Sequence, residues 1–138
     1  MGRQSVARIN IYRIEQLYVR KPTKEQAVML LREHPNEEAF YFNNDLGSST
    51  GAFAKSLSQF IDAVKVVEQR SLNFHMNRGD FEKWITMLGD ETLSHQLSNL
   101  RQHNLKDEPL RRRILQIIRL RQGYLRKIAY PKIAEEPS

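Results

Sequence analysis

The sequence predicts a mostly α-helical fold, a single-domain bundle of five to six helices. Apolar residues recur at three- and four-residue intervals, and helix caps and glycines separate the successive periodic stretches. With 138 residues, of which 40% are hydrophobic, the chain is long enough to bury one core. We therefore expect one domain over residues 1–130 and a loosely ordered tail over residues 131–138.

The N-terminal segment allows two interpretations. A strand would fit the alternation of Ile9, Ile11 and Arg13. A helix would instead group on one face the residues Ala7, Ile11, Ile14 and Tyr18. We favour a helix. A better-marked helix follows Pro22, because Thr23 and Gln26 have the spacing of a capping box. The proline of His34-Pro35 then ends this second helix.

Residues 40–51 interrupt the helical pattern. Phe40-Tyr41-Phe42 is the best candidate for a short extended segment, because aromatic side chains pack well on a pleated surface. The small and amide residues that follow predict a loop before the next helix, and its backbone N–H groups would suit a phosphate or carboxylate. This candidate ligand loop consists of Gly47, Ser48, Ser49, Thr50 and Gly51. The alternative is an ordinary helix entrance, and Ala52-Phe53 excludes a Walker A motif.

The central helices are separated by local start and stop signals. Ser56 and Gln59 form a second capping box, and Ser71 is expected to cap the helix after that. Two later Gly-Asp pairs separate helices, because the glycine is expected to end one helix and the aspartate to begin the next. These pairs are Gly79-Asp80 and Gly89-Asp90.

The final helix has the clearest start signal. Asp107 is the expected N-cap, and Glu108 and Pro109 both suit a first helical turn. The helix should extend to about Tyr130, because Pro131 blocks its continuation.

Charge is distributed unevenly along the chain. Residues 1–21 contain five basic and one acidic residue, residues 22–100 contain seven and eleven, and residues 101–138 contain ten and four. From Pro109 to Ala134 there are eight lysines or arginines and no acidic residue. This asymmetry predicts that the two ends of the chain face anions.

The cationic side of the final helix is the main candidate site. At 100° per residue, Arg112, Arg119 and Arg126 align nearly opposite the apolar arc, about 10.5 Å apart, a spacing compatible with separate phosphates. The predicted nucleic-acid-binding residues are Arg111, Arg112, Arg113, Arg119, Arg126 and Lys127. Alternatively, this side packs against the acidic middle of the chain or against a partner subunit. Arg121 falls within the apolar arc, so it must reach solvent or meet a buried carboxylate.

Composition and spacing argue against several classes of protein. The absence of cysteine excludes disulfides and thiolate zinc sites, and favours a reducing, cytoplasmic location. The longest apolar run, Ala27 to Leu31, is too short to span a membrane. His75 lies near Asp80 and Asp90 in the sequence, but no metal-ligand spacing is present. We therefore predict no catalytic residue, metal or cofactor, and a structural role for His75.

Two runs of residues carry a resemblance to a known family. They are Ser71-Leu72-Asn73-Phe74-His75 and Arg78-Gly79-Asp80-Phe81-Glu82-Lys83-Trp84. With these runs the chain resembles an uncharacterised, largely archaeal family of small proteins, described as a domain of unknown function. The resemblance covers about residues 40–125 and leaves residues 1–35 outside. It implies that His75, Asp80, Phe81 and Trp84 matter together, and it implies no activity.

These observations predict a non-enzymatic binding protein. We expect its C-terminal helix to contact RNA or DNA phosphates without sequence selectivity, aided by the N-terminal series Arg3, Arg8, Arg13 and Arg20. The alternative is a protein-interaction or scaffolding module in which the same helix binds an acidic partner or dimerises. A small enzyme that uses His75 and a carboxylate ranks third, because no nucleophile and base pair is evident.

Overall fold

The computed structural model describes residues 21–132. Within this range the mostly helical prediction is confirmed, with six helices and a two-stranded sheet. The elements are α1 (Lys24–Leu31), β1 (Phe40–Asn43), β2 (Ser49–Ala54), α2 (Leu57–Val66), α3 (Gln69–Arg78), α4 (Asp80–Leu88), α5 (Glu91–Arg101) and α6 (Asp107–Ala129), with a 3₁₀ turn at Asn36–Glu38. The predictions for residues 1–20 and 133–138, including the N-terminal helix, lie outside the described residues.

Helix α6 is the central element of the fold. It packs against α1, α2, α3 and α5. Its buried side chains recur mostly at three- or four-residue spacing and are Leu110, Ile114, Ile118, Leu125 and Ala129. Burial of each leucine or isoleucine contributes about 1.5–3 kcal/mol to the free energy of unfolding. Because one side of α6 is committed to this core, its opposite side is left at the surface.

The predicted extended segment is strand β1, which pairs with β2 in an antiparallel hairpin. The inner face of β1 buries Phe40 and Phe42, while Tyr41 points outward opposite Phe53. The two buried phenylalanines join an aromatic cluster with Phe60, Phe81 and Trp84. The hairpin therefore closes one side of the helical core.

The prediction of a loop over Gly47 to Gly51 is wrong for its last three residues. Ser49, Thr50 and Gly51 belong to β2, and α2 begins only at Leu57. Small polar residues have turn propensity, but here pairing with β1 provides the hydrogen-bond partners that hold them extended. The Thr50 hydroxyl strengthens the pairing by donating to the carbonyl of Phe42 at 2.7 Å.

The capping predictions are confirmed where the signal is local. At α1, Thr23 Oγ1 accepts from the N–H of Gln26 at 3.0 Å, and the Gln26 side chain accepts from the N–H of Thr23 at 2.8 Å. At α2, Ser56 Oγ accepts from the N–H of Gln59 at 3.1 Å. The Gln59 side chain binds the N–H of Lys55 instead of returning to Ser56, so the second box is only half formed.

Two other capping predictions are wrong. Helix α3 begins at Gln69, so Ser71 is a buried residue of its first turn rather than its cap. Helix α6 begins at Asp107 itself, with Lys106 as the cap. Asp107 has a φ of +59°, and the Asn73 side chain both accepts from its N–H and donates to its carboxylate, each at 2.9 Å. A side chain 34 residues away thus fixes the start of α6.

Gly79 provides a direct test of the junction between α3 and α4. Its φ of +73° is left-handed, so Gly79→Ala should lower the free energy of unfolding by about 1–2 kcal/mol. Gly123 is the matched control, since it lies inside α6 with open space where a Cβ would be. Gly123→Ala should raise the free energy of unfolding by about 0.5–1 kcal/mol. Urea denaturation measures both changes, and equal midpoints for the two variants would contradict this account of the junction.

Candidate nucleic-acid interface

One side of α6 presents five exposed cations, which we call the cationic face. They are Arg112, Arg113, Arg119, Arg126 and Lys127. Among residues 21–132, none of the five lies within ion-pair distance of a carboxylate. At 1.5 Å rise per residue, the face extends about 21 Å between Arg112 and Arg126. The acidic middle of the chain, as far as it is described, therefore leaves this face uncovered.

Arg111 differs from its neighbours, although the sequence predicts it as a phosphate contact. Its Nη1 donates to the carbonyls of Val64 and Val67 at 2.6 and 2.8 Å, and its Nε donates to Glu108 at 2.9 Å. These contacts satisfy carbonyls at the C-terminal end of α2, which lack partners within the helix. Arg111 thus anchors α6 to α2, and these donors are not available to a ligand.

Sequence reasoning missed this role, although a signal for it exists. Arg111 lies eighteen residues, or five full turns, before the buried Ala129, so both occupy the edge of the buried arc. Glu108, which binds Arg111, also accepts from the Gln69 side chain at 2.8 Å. Hydrogen bonds from Gln69 and then Arg111 lower the pKa of Glu108, so this carboxylate stays charged beside the arginines.

Arg121 has found the buried carboxylate that its position in the apolar arc requires. Its Nε and Nη2 donate to the two oxygens of Asp90 at 2.8 and 2.9 Å. The Arg121 and Asp90 side chains are 11% and 2% exposed. Asp90 also caps α5 by accepting from the N–H of Leu93 at 3.0 Å. This pair joins α6 to the turn between α4 and α5.

A groove of about 680 Å³ lies beside this ion pair, between α1, the α4–α5 turn and α6. Met29, Leu30 and Leu88 form apolar walls, and Glu25 and Glu91 add acidic groups. Because the lining contains three carboxylates, including Asp90, the groove is poorly suited to phosphate. The cationic face is therefore the better candidate site for a polyanion.

His75 and Asp80 lie together, as the resemblance implies, but they form a closed arrangement. His75 is 4% exposed, and its Nε2 accepts from the N–H of Asn43 at 2.8 Å. Its Nδ1 must then carry the proton and donates to Asp80 at 2.8 Å. Burial lowers the pKa of His75, and the hydrogen bond to Asp80 opposes that shift. The neutral imidazole therefore links β1, α3 and α4.

Phe81 and Trp84 complete this cluster by packing. Phe81 is fully buried, and Trp84 stacks on Phe60 with ring centroids 5.3 Å apart. The indole N–H of Trp84 donates to the carbonyl of Glu38 at 2.8 Å. The polar ring atoms of His75 and Trp84 are thus all bonded within the protein, which indicates a structural role.

The candidate ligand loop offers few free donors. The N–H of Gly47 donates to the carbonyl of Asn44 at 3.0 Å, and that of Ser48 to the Asn44 side chain at 3.1 Å. The N–H of Gly51 donates to the Ser49 hydroxyl at 3.0 Å. The hairpin therefore uses backbone donors that an anion would need.

Two further classes of site, metal centres and membrane spans, are absent from residues 21–132. In that range no cluster of three or more histidine, aspartate or glutamate side chains is placed to hold a metal ion. No helix of this range has the length and apolar character needed to cross a membrane.

The fold and the candidate site define a small helical domain with a cationic helix face that no carboxylate of residues 21–132 pairs with. The chain belongs to a family of unknown function (DUF5752), whose family model matches residues 8–119. The family therefore includes residues 8–35, which the motif resemblance alone leaves outside it. No curated protein and no solved structure matches the chain significantly.

Proposed function

We propose that this protein binds nucleic acid without sequence selectivity, by contacting phosphates with the cationic face of α6. The observation that carries the proposal is the exposure of five cations, none of which lies within ion-pair distance of a carboxylate of the described residues. A polyanion that binds such a face releases its condensed counterions, which supplies most of the affinity in non-specific binding.

The spacing of the arginines supports the same proposal. The row consists of Arg112, Arg119 and Arg126, which are spaced seven residues apart. Their Cα atoms therefore lie about 10.5 Å from one another along the helix axis. Each guanidinium has a planar set of donors that suits a phosphate.

Removal of the arginine row tests the proposal. The triple variant Arg112→Gln, Arg119→Gln, Arg126→Gln should bind a fluorescent oligonucleotide at least about tenfold more weakly, because three phosphate contacts are lost. The slope of log K against log salt should fall in magnitude by about 2 to 3. Fluorescence anisotropy at several salt concentrations measures both quantities, with DNA and RNA in separate titrations.

A second triple variant controls for net charge. Lys24→Gln, Arg32→Gln, Lys83→Gln removes the same three charges from exposed positions on other elements. This control should bind within about twofold of the unmodified protein, since the three charges lie outside the cationic face and contact no phosphate in the proposed complex. The proposal fails if the α6 variant binds as tightly and with the same salt slope as the control.

The protein-interaction alternative also has an observation in its favour. Leu120 and Tyr124 are 69% and 41% exposed on this helix, and Tyr130, which directly follows it, is 63% exposed. Apolar side chains of this size are common where a helix contacts another protein. Light scattering over a range of protein concentrations tests the homodimer. A mass that doubles as the concentration rises, in a protein that binds no oligonucleotide, would favour the protein-interaction function.

A further inference from the structure

We infer that the nucleic acid bound at the cationic face is single-stranded; this inference rests on the proposed function. The observation is the presence of two exposed tyrosines among the cations. Tyr124 is 41% exposed and lies three residues before Lys127, and Tyr130 is 63% exposed and lies four residues after Arg126. The first spacing places the Tyr124 ring beside Lys127 on α6, and Tyr130 directly follows the helix as its C-cap, near the turn that carries Arg126.

The tyrosine rings can discriminate between single strands and duplexes, whereas the arginines alone bind the phosphates of both. Both duplexes and single strands carry phosphates, so charge attraction acts on each. Only an unpaired strand has base faces free to stack on an aromatic side chain, whereas bases in a duplex already stack on one another. An aromatic ring between phosphate-binding cations is therefore useful mainly to a single strand.

The ring of Tyr124 is held by contacts that the structure shows directly. The guanidinium carbon of Arg121 lies 5.5 Å from the centre of the Tyr124 ring. Arg121 is itself fixed by its two hydrogen bonds to Asp90. The chain of contacts from Asp90 through Arg121 thus holds one face of the ring, while the tyrosine as a whole remains 41% exposed, which leaves the other face for a base.

Leu120 extends the same surface. It is 69% exposed and lies four residues before Tyr124, so the two side chains are neighbours on the helix. An apolar side chain next to an aromatic ring lets a stacked base bury more of its apolar surface. The highly charged backbone of a duplex gains nothing from such contact.

A comparison of single strands with duplexes tests the inference. We would measure fluorescence anisotropy with labelled 15-nucleotide single strands of mixed sequence, as DNA and as RNA, and with the corresponding duplexes. The full-length protein should bind the single strands at least about tenfold more tightly than the duplexes at equal salt. The double variant Tyr124→Ala, Tyr130→Ala should weaken single-strand binding about tenfold or more and change duplex binding less than about twofold.

Three controls separate stacking from other effects. The salt slope of the alanine variant should stay unchanged, since no charge is removed. The variant Tyr124→Phe, Tyr130→Phe should recover single-strand binding, because phenylalanine keeps the aromatic face. Tyr41→Ala removes a 54% exposed ring from the hairpin and should leave both affinities unchanged.

The outcomes distinguish this inference from the function on which it rests. Equal affinity for single strands and duplexes, with no effect of the tyrosine changes, would overturn the inference and leave phosphate binding intact. No binding to any oligonucleotide would overturn the proposed function itself. Self-association that the tyrosine variant abolishes, without nucleic-acid binding, would assign the face to a protein contact and overturn both.

Discussion

Replacing Arg121 with methionine is expected to lower the free energy of unfolding by about 3–5 kcal/mol. The reason is the burial of its partner, since the Asp90 side chain is only 2% exposed. Methionine fills much of the volume of arginine but leaves the Asp90 carboxylate charged and without its bidentate partner. The carboxylate must then remain desolvated or take up a proton, and either result destabilises the folded state. Urea denaturation at neutral pH measures the change.

The double variant Arg121→Met, Asp90→Asn separates the loss of the ion pair from the loss of packing. Asparagine is a good helix cap, so it should keep the hydrogen bond from the N–H of Leu93 while it removes the stranded charge. We expect the double variant to be more stable than Arg121→Met alone. If Arg121→Met costs less than about 1 kcal/mol, the pair is not buried as described.

The second large effect is expected at His75. His75→Leu should lower the free energy of unfolding by about 2–4 kcal/mol, because it leaves the N–H of Asn43 and the carboxylate of Asp80 without their shared partner. Thermal or urea denaturation measures the loss. Phe74→Leu is a suitable control on the same helix, since Phe74 is only partly buried, and it should cost clearly less.

The stability of the protein should also depend on pH through His75. Burial holds its pKa in the folded protein below the ordinary value of 6.5, so below that pH the unfolded chain binds more protons than the folded one. The contribution of His75 is therefore complete above pH 6.5 and is lost as the pH falls towards the folded pKa. The charged neighbours of the ring are Asp80 and Arg78. Asp80 stabilises the protonated imidazole and Arg78 destabilises it.

A His75→Gln variant isolates this titration. The stability difference between the unmodified protein and the variant should shrink as the pH falls from 7 towards 5, by at most about 1.4 kcal/mol per pH unit for one proton. The three other histidines are common to both proteins, so they largely cancel in the difference. A difference that stays constant over this range would show that His75 has an unshifted pKa.

The parts of the fold that could be predicted from sequence depend on nearby residues. The capping box of Thr23 and Gln26 and the glycine stops at Gly79 and Gly89 act within four residues, and all are confirmed. The failures involve distant partners. Asp107 at the start of α6 is held by Asn73, and the strand β2 exists because β1 is available to pair with it. No local pattern contains such partners.

The candidate site shows the same division. Helical periodicity correctly placed Arg112, Arg119 and Arg126 on a surface that lies opposite the buried residues of α6. It also required a special environment for Arg121, and Asp90 provides it. It failed for Arg111, because the carbonyls that this side chain binds come from a helix end 44 and 47 residues earlier in the chain.

The packing of α6 against four other helices has a consequence for recognition. Many basic segments that bind nucleic acid are disordered when free and lose conformational entropy when they bind. Here the charged groups project from a helix that the core already holds in place, so only the side chains need to become ordered. If the proposed function holds, association should leave the helical content of residues 21–132 unchanged, and the ligand must adapt to a fixed array of charges.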